Sequence, residues 1–526
     1  MNPTTRQKWL RRKRRIAKRL RLRKFKERAT PMFAARNIHC ELAERDRAIP
    51  YGGIGSIHLL ARMTGLIDII DRKLRLLKVH LPYHESDHVL NIAYNILCDG
   101  DCLQDLERLR NDEAYLDALG ASRIPDPTTA GDFCRRFESA ETVRTLMEAI
   151  NTARLGVWKQ QPQEFFGRAV LDVDGTIAPT AGECKAGMDI SYDGQWGYHP
   201  LVVSLANTRE PLYLLNRPGN RPSHEDAAEY LERGIVLCRE GGFKSVLMRG
   251  DCDFSQTAYL DGWDDLRDDE NKRYALFLFG IDAMPNLKAK AEALADSAWK
   301  MLVRPARYDV KTEPRAKPPK IKQQVIDQRG YKNLRLQAEH VAEIHYRPAK
   351  CERDYRLIIT RKSIDGNSGQ DKFWKEHRYF FHITNDWQTP AAQLVLAANG
   401  RCDQENLIAQ LKNGVHAMCL PANDLISNWA YMVMASLAWT LTAWWGLMLP
   451  EGTGRSRETR RQQKHEIVRM EFKRFAAGII RLPCQIVRVG RRLIYRMLSY
   501  SPWQEPLLAA VAAWRQRGGT TLRMQC

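Results

Sequence analysis

Residues 168–176 read RAVLDVDGT, and the rest of the chain is read outward from them. Side chains alternate along a strand, so Val170, Asp172 and Asp174 fall on one face and Ala169, Leu171 and Val173 on the other. The pattern predicts a central, buried strand ending in two same-facing acids, followed by Gly175 and Thr176. Burying an unpaired carboxylate is costly, so such acids meet a cation or sit at an open strand end. Gly175 is expected to let the chain turn sharply there. The plainer alternative is a strand end capped by Asp174.

Two later stretches have the same character. Residues 244–255, KSVLMRGDCDFS, predict a short apolar strand over 245–248, with Asp251 just past its end and a helix from Phe254. Residues 401–412, RCDQENLIAQLK, have helical spacing: Arg401, Glu405 and Lys412 share one stripe, and Leu407, Ile408 and Leu411 form an apolar stripe that docks on a sheet. Two acids at strand ends and one on a packed helix make an oxygen donor set suited to a hard divalent cation such as Mg²⁺.

The three stretches, in this order, resemble the DDE-type transposases of bacterial insertion sequences with a group 1 DDE domain. In that family the first Asp stands in an Asp-Gly-Thr turn after a central strand, which Asp174 matches, and the second ends a later strand, which Asp251 matches. The Glu lies in a helical signature of Tyr, two residues, Arg, three residues, Glu, six residues and Lys. Arg401, Glu405 and Lys412 match it, while the Tyr position holds Ala398. The resemblance covers roughly residues 83–445.

The resemblance implies an α/β fold with a ribonuclease-H-like catalytic core, a mixed sheet flanked by helices. Asp174, Asp251 and Glu405 are then the catalytic residues and the ligands of two Mg²⁺ ions, with Mn²⁺ as a substitute. Arg401 and Lys412 are the DNA-phosphate contacts. The implied activity is DNA cleavage at transposon ends and strand transfer to target DNA, that is, cut-and-paste transposition by a nuclease and strand transferase. The implied partners are double-stranded DNA, both terminal inverted repeats and target, and a second copy of the chain in the DNA complex. The setting is the bacterial cytoplasm, at the nucleoid. Asp172 is open as a supporting partner or as the ligand in place of Asp174, and Asp253 stands in the same relation to Asp251.

Two rival readings are kept. LDVDGT is also similar to the opening motif of haloacid-dehalogenase-like phosphohydrolases, in which Asp172 is the nucleophile and Asp174 the general acid, with Lys244 and Asp251 or Asp253 completing the site. That reading leaves the charge and the Arg-Glu-Lys helix unexplained. The other rival is a DNA-binding protein with an inactive catalytic domain.

Composition points the same way as the motifs. The 526 residues suggest two to four domains, and 44% hydrophobic and 27% charged residues are ordinary for a globular chain. A net charge of +20 is not ordinary and implies a polyanionic partner, most simply nucleic acid. The cysteines form no Cys-x-x-Cys pair and read as reduced thiols of a cytosolic protein. His80, His84 and His88 are four apart, but Pro82 interrupts any common helix, so a zinc site is the lesser reading. Residues 425–450 carry no charge and are long enough to span a bilayer, yet their position after the Glu helix predicts a buried helix against the sheet. No apolar segment follows the basic N-terminus, so neither a secretory leader nor a membrane partner is expected.

In chain order, residues 1–37 form a basic arm, open as a phosphate-ordered arm, a DNA-tracking helix or a solvated tail. Residues 38–160 predict an all-helical DNA-binding domain, with helices within 51–77, 86–97, 103–109, 114–119 and 130–155, the last capped by Thr128 or Thr129. Residues 161–287 are the first part of the core, with a hairpin of 201–205 and 211–216, helices over 227–239 and 254–266, and a strand over 274–281. The acidic run 264–270 reads as a solvated turn. Residues 288–388 are a β-rich insertion with a basic linker over 311–322 and strands over 340–346, 355–362 and 378–384, in which Trp374 and Trp387 read as core rather than base-stacking residues. Residues 389–450 carry the Glu helix and complete the core, and 451–526 form a basic helical C-terminal region that binds DNA or a second protomer.

Overall fold

Arg168–Gly175 is a strand deep inside a nine-stranded sheet, as its apolar face requires. The structure is a computed structural model that describes residues 3–20, 35, 38–40, 46–80, 82–182, 184–304, 333–368, 372–452, 454, 456–490 and 492–517. The chain divides into two units. One comprises Pro162–Pro179 and Asp189–Ile408; the other comprises Met1–Gln161, Thr180–Met188 and Ala409–Cys526.

The first of these units carries the sheet. Its strands in chain order are β1 (Arg168–Gly175), β2 (Leu201–Leu205), β3 (Glu210–Leu215), β4 (Ser245–Gly250), β5 (Ala275–Ile281), β6 (Lys300–Met301), β7 (Asn333–Tyr346), β8 (Tyr355–Ser368) and β9 (Lys372–Thr384). Their order across the sheet is β6-β7-β8-β9-β5-β4-β1-β2-β3. β4 runs parallel to β1 and β5 parallel to β4, while β2 is antiparallel to both β1 and β3. The expected hairpin is therefore present. The β-rich segment continues the same sheet, because β9 pairs antiparallel with β5.

Helices cover both faces. Ala169, Leu171 and Val173 are fully buried on one face, where helix Ala227–Gly241 packs against β1 and β2; a Cβ on its Gly234 would lie 3.0 Å from Leu171. On the other face helix Ala391–Asn399 brings Leu394 and Val395 into a cluster with Leu247, Leu278, Val341 and Ile358, from β4, β5, β7 and β8. That apolar cluster ties the long strands β7 and β8 to β4 and β5.

Some local expectations change. Residues 254–266 are two short 3₁₀ turns and the helix Leu260–Asp264, not one helix. Asp264 is buried and paired with Arg273 at 2.7 Å and Arg353 at 3.3 Å, so the acidic run is anchored at its first residue. Trp387 is 42% exposed and lies 4.8 Å from the His345 ring, not in the core. The basic linker over 311–322 and the side chain of Trp374 fall outside the described residues.

The other unit is mostly helical. Helices Ile54–Met63 and Leu66–Lys73 flank a turn at Thr64 and Gly65, and Glu85–Leu97 follows. The predicted helix over 130–155 is two helices, Pro127–Arg135 and Ala140–Trp158, capped by the side chains of Asp126 and Ser139; Asp126 takes the role expected of a Thr because its carboxylate reaches the Thr129 N–H at 2.9 Å. Helix Leu425–Leu447 is uncharged and almost wholly buried, and its main partners are helices Glu85–Leu97, Ala140–Trp158 and Ser456–Val468 rather than a sheet. Among the described residues no helix is long and apolar enough to cross a membrane. The C-terminal region is not purely helical. Cys484–Val489 and Arg492–Met497 form a hairpin that pairs with Ala48–Ile49, because CQIVRV and RLIYRM alternate with β-branched residues around Gly490. His80 lies 3.0 Å from Glu85 and stacks on His84, whereas His88 stacks on Phe133, so the three histidines do not converge.

Candidate active site

Asp172 and Asp174 share a face of β1 but have different surroundings. Asp172 is fully buried and opposite Ser204 on β2. Both its oxygens accept from Arg249 on the parallel strand β4, at 2.7 Å from Nε and 2.7 Å from Nη2. Burial pushes the Asp172 carboxyl above its usual value and the Arg249 fork opposes that. Arg249 also donates to the Ala397 carbonyl at 2.7 Å, so it ties β1 and β4 to the helix that precedes the Glu segment. Asp172 is spent on this structural pair.

Asp174, one pleat further on, stands at the strand end with its side chain 17% exposed. β1 does not turn sharply at Gly175, which still pairs with Leu201. The glycine instead makes room: a Cβ there would lie 2.7 Å from Nε2 of His199, a buried residue between the short strand Trp196–Tyr198 and β2 whose Nδ1 is 2.8 Å from the Arg221 carbonyl. Burial lowers the His199 pKa.

Asp251 follows directly on β4. Its carboxylate accepts the Asp253 backbone N–H at 3.0 Å and opens a 3₁₀ turn over Cys252–Phe254. The turn lies close against β5, where a Cβ on Gly280 would come within 2.9 Å of the Cys252 nitrogen. His382 on β9 is registered opposite Gly280, and its Nδ1 is buried with no hydrogen-bond partner among the described residues. Burial and the nearby Arg401 lower it to about 4.

The third segment is helix Cys402–Asn413, with Arg401 immediately before it; the Arg401 carbonyl accepts the Gln404 N–H at 2.8 Å. Leu407, Ile408 and Leu411 are buried, as their stripe predicted. Gln404 anchors the first turn to β2, accepting from the Ser204 hydroxyl and donating to the Val202 carbonyl at 3.0 Å. Arg209 holds Asp403 at 3.1 Å. With Gln404 aimed into the sheet, Glu405 is left exposed on the next position. Lys412 is half-buried further along the helix, and burial lowers its pKa.

Arg401 joins the two strand-end acids. Its Nη1 is 3.6 Å from Asp174 Oδ2 and 3.3 Å from Asp251 Oδ2. Burial pushes Asp174 up to about 7; Arg401 works against this, while Asp251 and Glu405 add to it. Burial also raises Asp251 and Arg401 again opposes it. So Asp174 and Asp251 share one guanidinium, and Glu405 acts on Asp174 through its charge. The three carboxylates are not all within 4.8 Å of one another; among the described residues the group that is so close is Asp251, Cys252 and Asp253, whose thiol is pushed up to about 12 by burial and by Asp282. The donor set at Asp174 and Asp251 is hard oxygen, partly buried and crowded with like charge, with a cation already bridging it. Those are the conditions a divalent ion meets in an oxygen site.

The fold and site together define a mixed α/β sheet whose central strands end in acids that face a common cation, with a third acid on a helix docked to the same sheet. The chain matches the family model described as transposase DDE domain, group 1, over residues 50–518, and belongs to that family. It is therefore a transposase of the DDE class, a family whose chemistry is DNA strand cleavage and transfer with divalent metal. No curated protein matches it. A solved structure, the piggyBac transposase synaptic complex with hairpin DNA, aligns with 80% of this chain and 81% of that one at 9% identity and a TM-score of 0.34. The phosphohydrolase alternative falls with the family match, and the nucleophile it needs, Asp172, is enclosed by Arg249. The sequence reading missed Arg249, His199 and His382. The Gly-Tyr-His-Pro run at 197–200 was the visible signal for His199; nothing local marks the other two.

Proposed function

We propose that the chain is the transposase of a bacterial insertion sequence, with a ribonuclease-H-like core built on β1–β5. The strand order β3-β2-β1-β4-β5, with β2 antiparallel to its neighbours and β4 and β5 parallel to β1, supports that reading. Asp174, Asp251 and Glu405 would hold two Mg²⁺ ions, which Mn²⁺ could replace. Asp172 and Asp253 are then a structural partner and a turn residue. When bound, the ions supply Lewis-acid stabilisation of the leaving oxygen and activate the attacking water or 3′-hydroxyl.

The chain's own residues do the rest. The Asp172–Arg249 pair fixes the end of β1 relative to β4, and so holds Asp174 beside Asp251. Gln404 seats the Glu405 turn on β2, and Asp403 holds it to Arg209 in the turn before β3. Arg401 has a planar fork that fits phosphate as well as carboxylate, so it is placed to pass from the acids to the scissile phosphate, with Lys412 as a further point charge on DNA. The DNA partners are the element's inverted repeats and a target duplex. Paired-end chemistry calls for a homodimer acting at the nucleoid. The observation that carries the reading is that Asp174 and Asp251, 77 residues apart in sequence, both face Arg401. The test is incubation of the full chain with a linear duplex bearing the repeats that flank its reading frame. Strand breaks at the repeat ends that require Mg²⁺ support it. Absence of breaks with an intact, DNA-bound protein refutes it.

A further inference from the structure

The family match begins at residue 50, yet helix Pro3–Leu20 before it is docked on the C-terminal hairpin of the same unit. Arg12 donates to the carbonyls of Met497 at 3.0 Å and Ser499 at 2.7 Å. Trp9 reaches the Ser501 carbonyl at 3.4 Å, and its ring lies 5.6 Å from that of Tyr500. Trp9 and Arg12 are one helical turn apart and make the covered side of the helix, whereas Arg6, Lys8, Arg11, Lys13, Arg14, Arg15, Lys18 and Arg19 are exposed. The helix holds nine Lys and Arg and no acid; residues 484–500 hold four Arg and no acid. Arg492 and Arg496 are exposed on the hairpin. Two segments from opposite ends of the chain are thus pinned together by contacts in which Arg12 is the cation, while the other eight cations of the helix and Arg492 and Arg496 of the hairpin are exposed.

We propose that helix Pro3–Leu20 and hairpin 484–497 form one composite surface for the phosphate backbone of duplex DNA, with Trp9 and Arg12 as its internal fastening rather than as DNA contacts. This rests on the transposase reading and adds the place where the duplex lies. A rigid surface that presents its cations together binds more tightly than the same charges on a loose tail, because less order has to be imposed on binding. Its affinity is carried by counterion release, so log K falls with log salt by about 0.9 per phosphate contact.

The test uses the full chain and a fluorescent 30-base-pair duplex of unrelated sequence, with anisotropy read across a salt series. Substituting Arg14→Gln, Arg15→Gln, Lys18→Gln and Arg19→Gln together is expected to lower the salt slope by about two to four, and Arg492→Gln with Arg496→Gln by about one to two. Trp9→Ala changes no charge and is expected to weaken binding about three- to tenfold at fixed salt. Thermal unfolding of each variant confirms that it is folded. If the wild-type chain does not bind the duplex, the transposase reading itself fails. If it binds and the fourfold helix variant keeps the wild-type slope, the surface is refuted. If that variant weakens but Trp9→Ala does not, the helix acts as a loose polycation and the composite surface is refuted.

Discussion

Arg249→Met is the substitution that probes the architecture of the site most severely. It leaves Asp172, which is fully buried, with no hydrogen-bonded cation, after losing two bonds of 2.7 Å to the carboxylate and a third of 2.7 Å to the Ala397 carbonyl. Removing one partner of a buried ion pair costs about 3–5 kcal/mol, since the other is left uncompensated. For a unit of this size about 2–4 °C accompanies each kcal/mol, so the calorimetric transition of the sheet unit should fall by roughly 6–20 °C. Replacing both members, Asp172→Leu with Arg249→Met, removes the orphaned charge and should recover most of that loss. The double variant still lacks the tie to Ala397, so strand cleavage should stay depressed even though the fold returns. Scanning calorimetry of wild type, both single variants and the double variant gives the cycle directly. A fall below about 1 kcal/mol for Arg249→Met, or a double variant no more stable than the single, would refute the assignment of Asp172 to structure.

Other consequences concern pH, cations and packing. Asp174 has its folded-state pKa raised to about 7, so the metal-free fold bears no penalty from it below the unfolded value and loses stability as pH rises towards 7. At about 1.4 kcal/mol per unit the loss reaches at most roughly 4 kcal/mol, so without metal Asp174→Asn should unfold at higher temperature than wild type at neutral pH, a difference that disappears at pH 4. By the same proton competition, Mn²⁺ affinity measured by calorimetry should rise about tenfold per pH unit up to about 7 and then level off. Arg401→Gln removes the cation at 3.3 and 3.6 Å from the acids and should tighten Mn²⁺ binding in the absence of DNA while impairing strand cleavage with DNA present. Gly175→Ala should destabilise by about 1–3 kcal/mol through its clash with His199, whereas Gly156→Ala, in the last turn of helix Ala140–Trp158 with nothing within 4 Å, should stabilise by about 0.4–1 kcal/mol in thermal unfolding.

Much of the sheet was legible because period-two patterns are local. The apolar face of β1, the β2–β3 hairpin and the stripe Leu407, Ile408 and Leu411 each occupy a few consecutive residues, and all are buried as their spacing implies. What was not legible depends on partners far along the chain. Nothing near Asp172 announces that Arg249 will stand beside it, because parallel pairing of β1 and β4 is set by the connection between them. Gly175 was read as a turn from its type alone, and only its neighbour His199 explains it. The uncharged helix Leu425–Leu447 had an obvious need for burial but no internal sign of what would bury it, and helices rather than the sheet do so. Asp126 displaced the expected threonine cap because the helix starts earlier, at Pro127, where the Asp126 carboxylate reaches the Thr129 N–H. At the site, the sequence marked which residues carry charge, but the bridging position of Arg401 belongs to the fold.

The most direct measurement is anomalous diffraction from crystals of the chain soaked in Mn²⁺. Manganese bound to carboxylate oxygens of Asp174 and Asp251, with Arg401 moved off them, is the predicted result. Manganese bound elsewhere, on Asp251, Cys252 and Asp253 for example, with Asp174 still held by Arg401, would contradict it.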